Sequence, residues 1–303
     1  MKHTYILDGS YFLHHSLWRD KEREGKLLTK EMAVSALHTI HGIVNSRSPT
    51  EVYVVWDYGR SSKRLAMLPT YKKVESREKT DEERQLFRLY SELLAKILAK
   101  LCCKNVLVRG HEADDLIYEV VRKTTGYRTV VSEDRDFVQL VEDPSVSMYL
   151  PRTGKLINTL LFGDFFPGIS PNQFLLYKSL VGDKSDAIAG VRGVGEVTAQ
   201  KVLVESSATT PASLMSYLAV LPTLPSKYRA ILSEQDIVFR NFVLMNLGFG
   251  LTDEARCEVD RVVLSPALYD PTVEKDLVDL GATMAAITLP LWGIPFRRME
   301  NGK

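Results

Sequence analysis

Four short apolar runs, each leading into a helical stretch, constrain this chain more than any other feature. They are Thr4–Leu7, Glu51–Trp56, Asn105–Val108 and Arg128–Val131. Such an alternation predicts a parallel sheet covered by helices on both faces. Right-handed crossovers would bring the strand ends to one rim. Between the runs, Met32, Leu37, Ile40, Ile43 and Val44 recur at roughly helical spacing within Thr29–Val44. Thr80–Glu83 has the pattern of a capping box, opening a helix with Leu86, Tyr90, Leu94, Ile97 and Leu101 on one face. Leu116, Ile117, Val120 and Val121 mark a further helix, Asp134 to Leu140 starts another, and Ser145–Leu150 reads as an edge strand. From Ser170 the chain turns mostly helical, with runs at Pro171–Leu180, Glu196–Val204, Pro211–Leu221, Ser226–Leu247 and Thr272–Leu280. The tail from Trp292 to Lys303 is aromatic and basic without a clear pattern.

Acids follow these runs in a regular way. Asp8 and Asp57 close the first two, His111-Glu112-Ala113-Asp114-Asp115 follows the third, and Asp134 and Asp136 follow the fourth. Asp183 and Asp186 come later, after Gly182. One reading makes them helix caps and turn residues, since an acid in a first helical turn gains about 0.3–1 kcal/mol from the helix dipole. The other reading makes them ligands. Carboxylates gathered on one rim raise one another's pKa, and a divalent cation relieves the repulsion. All-oxygen ligands select hard ions such as Mg²⁺ or Mn²⁺. Two ions roughly 4 Å apart could activate water for phosphodiester cleavage.

Composition limits the rest. With 39 Lys plus Arg against 38 Asp plus Glu, net charge argues neither for nor against a nucleic-acid partner, so local clustering must decide. Three cysteines without Cys-x-x-Cys spacing point to neither a disulfide framework nor a zinc cluster. Asp8 interrupts the first apolar run, and no run reaches membrane-spanning length, so a soluble intracellular protein is expected. Arg60–Lys79 carries seven positive charges against Glu75 and Glu78, with Tyr71 in its middle. It is either a solvated loop or a segment that grips phosphates and stacks a base. Gly190-Val191-Arg192-Gly193-Val194-Gly195, leading into a helix with Lys201, is either a tight turn or a set of backbone N–H groups that holds a phosphate. Such a contact reads backbone and not sequence.

The extended form of that turn resembles the helix-hairpin-helix motif of DNA-binding proteins. Together with Leu7-Asp8-Gly9, Trp56-Asp57, Pro69-x-Tyr71-Lys72, Glu112-Ala-Asp-Asp115, Ser132-x-Asp134-x-Asp136 and Gly182-Asp183-x-x-Asp186, it makes residues 3 to 205 resemble the 5′-nuclease superfamily. That superfamily includes flap endonucleases, phage replication exonucleases of the ribonuclease H type and the 5′-nuclease domain of DNA polymerase I. The length and small helical C-terminal part look most like a free-standing phage enzyme.

The resemblance implies an α/β fold with a central mostly parallel sheet, PIN-like or Rossmann-like. It implies a catalytic domain over 1–168, with an arch over about 58–101, and a helical DNA-binding module over 169–303. It implies a first metal served by Asp8, Asp57 and Glu112, Asp114 between both metals, and Asp115 close by. Asp134, Asp136 and Asp186 would serve the second metal, and Asp183 would act there directly or through water. Lys72 would reach the scissile phosphate, with Tyr71, Lys73, Arg77, Arg192, Gly193, Gly195 and Lys201 on DNA. A K⁺ ion would bind backbone oxygens near Val191 and Val194. Glu75 stands where the family often has an arginine, and Arg77 is the expected substitute.

The activity implied is that of a structure-specific 5′-3′ exonuclease and flap endonuclease in replication or repair. It would act in the cytoplasm as a monomer, on branched or nicked duplex DNA or RNA–DNA hybrid. The tail is a candidate for recruiting a single-strand-binding protein or a sliding clamp. Three rivals are weaker. A PIN-like ribonuclease should lack the glycine hairpin and long arch. A DNA-binding protein with a dead metal site should have lost an acid. A haloacid-dehalogenase-like phosphatase needs Asp-x-Asp after the first strand, where this chain has Asp8-Gly9-Ser10.

Overall fold

Each apolar run becomes a strand, and the first two and the fourth are buried along all but their first residue. The computed structural model describes residues 2–18, 27–73 and 79–300. The chain forms two compact units, each drawn from separate stretches of sequence. The first takes in Met1–Gly59, Lys79–Glu133 and Leu251–Lys303, and the second Arg60–Glu78 and Asp134–Gly250.

In the first unit, β1 (His3–Asp8), β2 (Glu51–Trp56), β3 (Lys104–Leu107) and β4 (Tyr127–Val131) lie in the order β3-β2-β1-β4. Every pair is parallel, with Leu7 opposite Val54 and Val131, and Val55 opposite Val106. β1 and β2 are buried from their second residue onward without alternation, as expected for strands covered on both faces. Ile6, Leu7, Val54, Val55, Trp56, Val106 and Val130 supply this core. Burying each such side chain contributes about 1.5–3 kcal/mol. Trp56 is fully buried, and its indole N–H donates to Asn105 Oδ1 at 3.1 Å. The strand order reverses at β1. In open α/β sheets, ligands bind beyond the carboxyl ends of the strands at such a reversal.

Residues 251–300 pack within this unit. Lys104 Nζ donates to the Val263 carbonyl (2.7 Å), Lys123 pairs with Asp260, and Lys96 and Lys100 both pair with Asp276. The tail is ordered where no structure was expected. Ile294–Glu300 is helical, the Trp292 ring stacks on His41 at 4.4 Å, and Phe296 is fully buried. Among the described residues, no helix is long and apolar enough to cross a membrane.

The second unit contains the antiparallel hairpin β5 (Val146–Leu150) and β6 (Lys155–Ile157), and a two-residue pair, β7 (Gly182–Asp183) with β8 (Ile188–Ala189). Its helices include Phe174–Val181, Glu196–Ser206, Pro211–Ala219, Ser226–Ser233 and Gln235–Leu244. The expected single helix over 226–247 is broken at Glu234, whose carboxylate faces the backbone of Arg192. The stretch after Asp134 is a 3-10 helix, Arg135–Glu142. A helix expected nowhere, Gly9–Trp18, follows β1 directly in the first unit. It begins where Asp8 accepts the Tyr11 N–H at 2.9 Å.

The burial pattern sets a test of the fold. Ile6→Ala, at a fully buried site, should cost about 2–5 kcal/mol in urea unfolding. Leu160→Ala, at a site 92% exposed, should stay within roughly 0.5 kcal/mol of wild type.

Candidate metal centre and nucleic-acid site

In the first unit the acids stand at the carboxyl edge of the parallel strands. Asp8 ends β1, Asp57 follows β2, and Glu112, Asp114 and Asp115 open the helix Ala113–Lys123 after β3. Asp8 sits at the reversal itself, where Ser132, just past β4, donates its hydroxyl to Asp8 Oδ2 at 2.8 Å. Asp57 is fixed from both sides. Its N–H donates to Ser10 Oγ (2.8 Å), and its Oδ1 accepts the Ala113 N–H (2.7 Å).

That last bond answers part of the question of caps against ligands. Glu112 occupies the cap position of the helix Ala113–Lys123 yet makes no capping bond, and Asp57 supplies one from another strand. Asp8 and Asp134 do cap, accepting from Tyr11 and Asp136. Glu112 and Asp115 are buried, at 1% and 0% exposure, which is costly for carboxylates without strong partners or a cation.

In the second unit Asp136 and Asp183 share one cation. Lys178 Nζ lies 2.7 Å from Asp136 Oδ1 and also hydrogen-bonds Asp183 Oδ2. Burial alone would lower the Lys178 pKa, but the Asp136 and Asp183 carboxylates hold it well above the usual lysine range. Burial would raise Asp183. Lys178 and the Ser185 hydroxyl and N–H overcome that and leave it below the ordinary value. Asp134 keeps surface exposure as a residue, but desolvation of its carboxyl and repulsion from Asp136 raise its pKa to about 7, with Lys72 opposing the rise. Asp186 adds to that repulsion, and its carbonyl accepts the Lys72 N–H at 2.9 Å. Lys72 itself is held at φ 53°.

Tyr71 is a correction. Its ring is 3% exposed and packs with Ile188, Leu244 and Met245, so it is core and does not stack on a base. Arg64, also buried, lies over that ring and donates to the carbonyls of Leu244 and Asn246. The basic segment is therefore anchored up to Lys73, which is exposed. Arg77 lies outside the described residues. In the glycine turn, Arg192 and Gly193 are exposed between buried Val191 and Val194, Gly195 is exposed just after them, and Gly193 has φ 76°. Lys201 is exposed on the helix Glu196–Ser206, 3.8 Å from Glu205.

Among the described residues, no three His, Cys, Asp or Glu side chains already surround a common point as a metal cage. The donors of each unit nonetheless fit a hard divalent ion, being all carboxylate, with Glu112 and Asp115 buried in the first unit and Asp134 repelled by its neighbours in the second. Sequence reasoning missed Lys178. Its signal was present, as the only charge in the apolar helix Phe-Leu-Leu-Tyr-Lys-Ser-Leu-Val, where a buried cation demands an anionic partner.

The family model described as "5'-3' exonuclease, N-terminal resolvase-like domain" matches residues 3–161. The chain belongs to this family. It is 31% identical over 220 residues to DNA polymerase I of Lactococcus lactis subsp. cremoris, covering 66% of this chain and 24% of that protein. It is 25% identical over 202 residues to a 5'-3' exonuclease of Mycoplasmopsis pulmonis, covering 65% of each. The chain thus spans less than two thirds of either relative. Among solved structures, a bacteriophage T5 flap endonuclease in complex with DNA and metal ions superposes with a TM-score of 0.66, at 21% identity and 99% coverage of both chains. The catalytic core of Rad2 with a DNA substrate gives 0.54, at 12% identity, covering 95% of this chain and 91% of that one. These likenesses establish the 5′-nuclease fold, a mostly parallel sheet flanked by helices.

Two predictions follow from the charges in this 5'-3' exonuclease family member. The raised Asp134 carboxyl means that the folded state binds a proton between about pH 4 and 7 that the unfolded chain has released. Metal-free protein in EDTA should therefore lose stability as pH rises through that window, and Asp134→Asn should flatten the slope of melting temperature against pH. Lys178→Met should lower the melting temperature of metal-free protein. Mg²⁺ should recover more of it than it adds to wild type, because Asp136 and Asp183 then lack their own cation.

Proposed function

We propose that this chain is a divalent-metal-dependent, structure-specific 5′-nuclease. It would cut phosphodiesters near a 5′ end in branched or nicked duplex DNA and RNA–DNA hybrid. The observation that carries the reading is the acid set of a 5'-3' exonuclease family member at the carboxyl edge and reversal point of its sheet. Asp8, Asp57, Glu112, Asp114 and Asp115 would hold one Mg²⁺ or Mn²⁺, and Asp134, Asp136, Asp183 and Asp186 a second. Bound there, the ions would supply an activated water and neutralise the leaving oxygen.

The chain's own groups do the rest. Asp57 and Ser132 orient the acids around them through fixed hydrogen bonds. Lys72, restrained by the Asp186 carbonyl, offers its ammonium to the negative charge that grows on the phosphate. The Arg192 side chain, Lys201 and the N–H groups of Gly193 and Gly195 take the duplex backbone, blind to base sequence, while Glu234 holds the Arg192 N–H. Backbone oxygens near Val191 and Val194 are the place for K⁺ in this reading. The arch over about 58–101 would hold the 5′ strand, with Lys73 and Arg77 on it. The protein would act as a monomer in the cytoplasm. A single-strand-binding protein or sliding clamp remains a partner to test against the exposed part of the tail.

The test is cleavage of a 5′-labelled flap, a nicked duplex and an RNA–DNA hybrid, with Mg²⁺ and with EDTA. Cleavage should need Mg²⁺, and Lys72→Ala or Asp186→Asn should slow single-turnover cutting roughly 100- to 1000-fold. Affinity for the flap should fall steeply with salt. No Mg²⁺-dependent cutting of any substrate would refute the reading.

A further inference from the structure

The helix Gln235–Leu244 and the residues that flank it meet several functional segments of the second unit. At its start, Glu234 accepts the Arg192 N–H in the glycine turn at 3.0 Å. In its middle, Asn241 is completely buried, and its Nδ2 donates to the carbonyls of Ala189 (2.8 Å) and Ser179 (3.1 Å). At its end, the Leu244 carbonyl holds Arg64, Leu244 and Met245 pack on Tyr71 beside Lys72, and the Met245 carbonyl accepts from Gln139 of the 3-10 helix that follows Asp134.

Asn241 stands where two of these segments join. Asp183 lies on β7 and pairs with Ile188 on β8, and β8 leads within a few residues to the glycine turn. The junction is packed without slack. A Cβ on Gly182 would lie 2.3 Å from Gly190 N, and one on Gly190 would lie 2.3 Å from the Val181 carbonyl. Val191 N–H donates to the Leu180 carbonyl at 2.9 Å. Asn241 ties the last residue of β8 to the helix that ends just before β7, so it fixes the span from Asp183 to Gly193.

We propose that Asn241 is a positioning residue that sets where the nuclease cuts. The inference rests on the 5′-nuclease reading above, in which the glycine turn grips duplex backbone and Asp183 and Asp186 serve the reaction. Successive phosphates advance about 3.4 Å along each strand of a duplex. A grip that shifts by a fraction of that step relative to the acids presents a neighbouring phosphate for part of the time. Asn241 prevents the shift because both of its amide hydrogens are spent on the two sides of the joint. Its own oxygen accepts from Arg240, which fixes the orientation of the amide.

The experiment maps product lengths from a 5′-flap duplex at single-nucleotide resolution under single-turnover conditions in Mg²⁺. It compares wild type, Asn241→Leu, Glu234→Ala and Gln173→Leu. Gln173 is the control. It is a buried amide that likewise bonds two carbonyls, those of Leu203 and Ala208, but it does not touch the joint. Asn241→Leu should slow the principal cut roughly 10- to 100-fold, as a misplacement near 1 Å does, and raise the share of displaced products about threefold or more. Glu234→Ala, at an exposed bond, should shift products in the same direction by less and serves if Asn241→Leu does not fold. Gln173→Leu should lose stability with an unchanged product ladder.

An unchanged ladder in Asn241→Leu, or in Glu234→Ala where Asn241→Leu is unfolded, overturns the proposal even if the rate falls. An equally spread ladder in Gln173→Leu overturns it too, since general loosening would then explain the effect. Wild type that cuts nothing refutes the nuclease reading itself, which is a separate result.

Discussion

Carboxylates cannot be gathered in a protein unless something holds each one against its neighbours, and that constraint shapes both units. Born desolvation and mutual repulsion together make an unsupported acid either protonate or move away. At the strand ends of the first unit, hydroxyl and N–H groups give part of the support. Asp8 receives a hydroxyl and an N–H, and Asp57 receives the N–H of Ala113. In the second unit the support is a full charge, the Lys178 ammonium between Asp136 and Asp183. Where desolvation and a neighbouring carboxylate outweigh the support the pKa rises, as it does at Asp134.

The same economy explains why cap and ligand readings are compatible here. An acid placed at a strand end is also placed at the start of the next helix, because the crossover begins there. Asp8 uses one oxygen for Tyr11 and the other for Ser132. Asp57 goes further and caps a helix it does not precede. Glu112 is thereby relieved of the capping role its position would assign, while being almost completely buried.

Much of this was legible in the sequence because its signals are local. Apolar runs of strand length mark β1 to β4, and the Thr80–Glu83 pattern is realised as a complete capping box. What was illegible depends on contacts between distant residues. The helix Gly9–Trp18 is a local exception, missed because it is short and its apolar pattern is weak. The segment around Lys72 reads as exposed because it is charged. Yet Tyr71 and Arg64 are drawn inward by Leu244, whose place in the fold lies more than 170 residues downstream. Asn241 escaped for the same reason, whereas Lys178 was signalled as the only charge in its helix. A buried polar side chain in a helix of ordinary pattern shows nothing of the groups it will meet.

Asn241 also shows why a helix far from any motif can govern a site. A motif supplies chemistry at a point, but a reaction on a long polymer needs two points held at a constant separation, one for the backbone and one for the cut. Short strands such as β7 and β8 cannot fix that separation alone, since two residue pairs resist bending weakly. The helix Gln235–Leu244 runs alongside them and bonds to the turn, to the strand and to the preceding helix in succession. A rigid element outside the motif thus turns two loosely tethered features into one. Because its bonds go to backbone carbonyls and N–H groups, whichever side chains the loops carry, the framework is independent of the chemistry it positions.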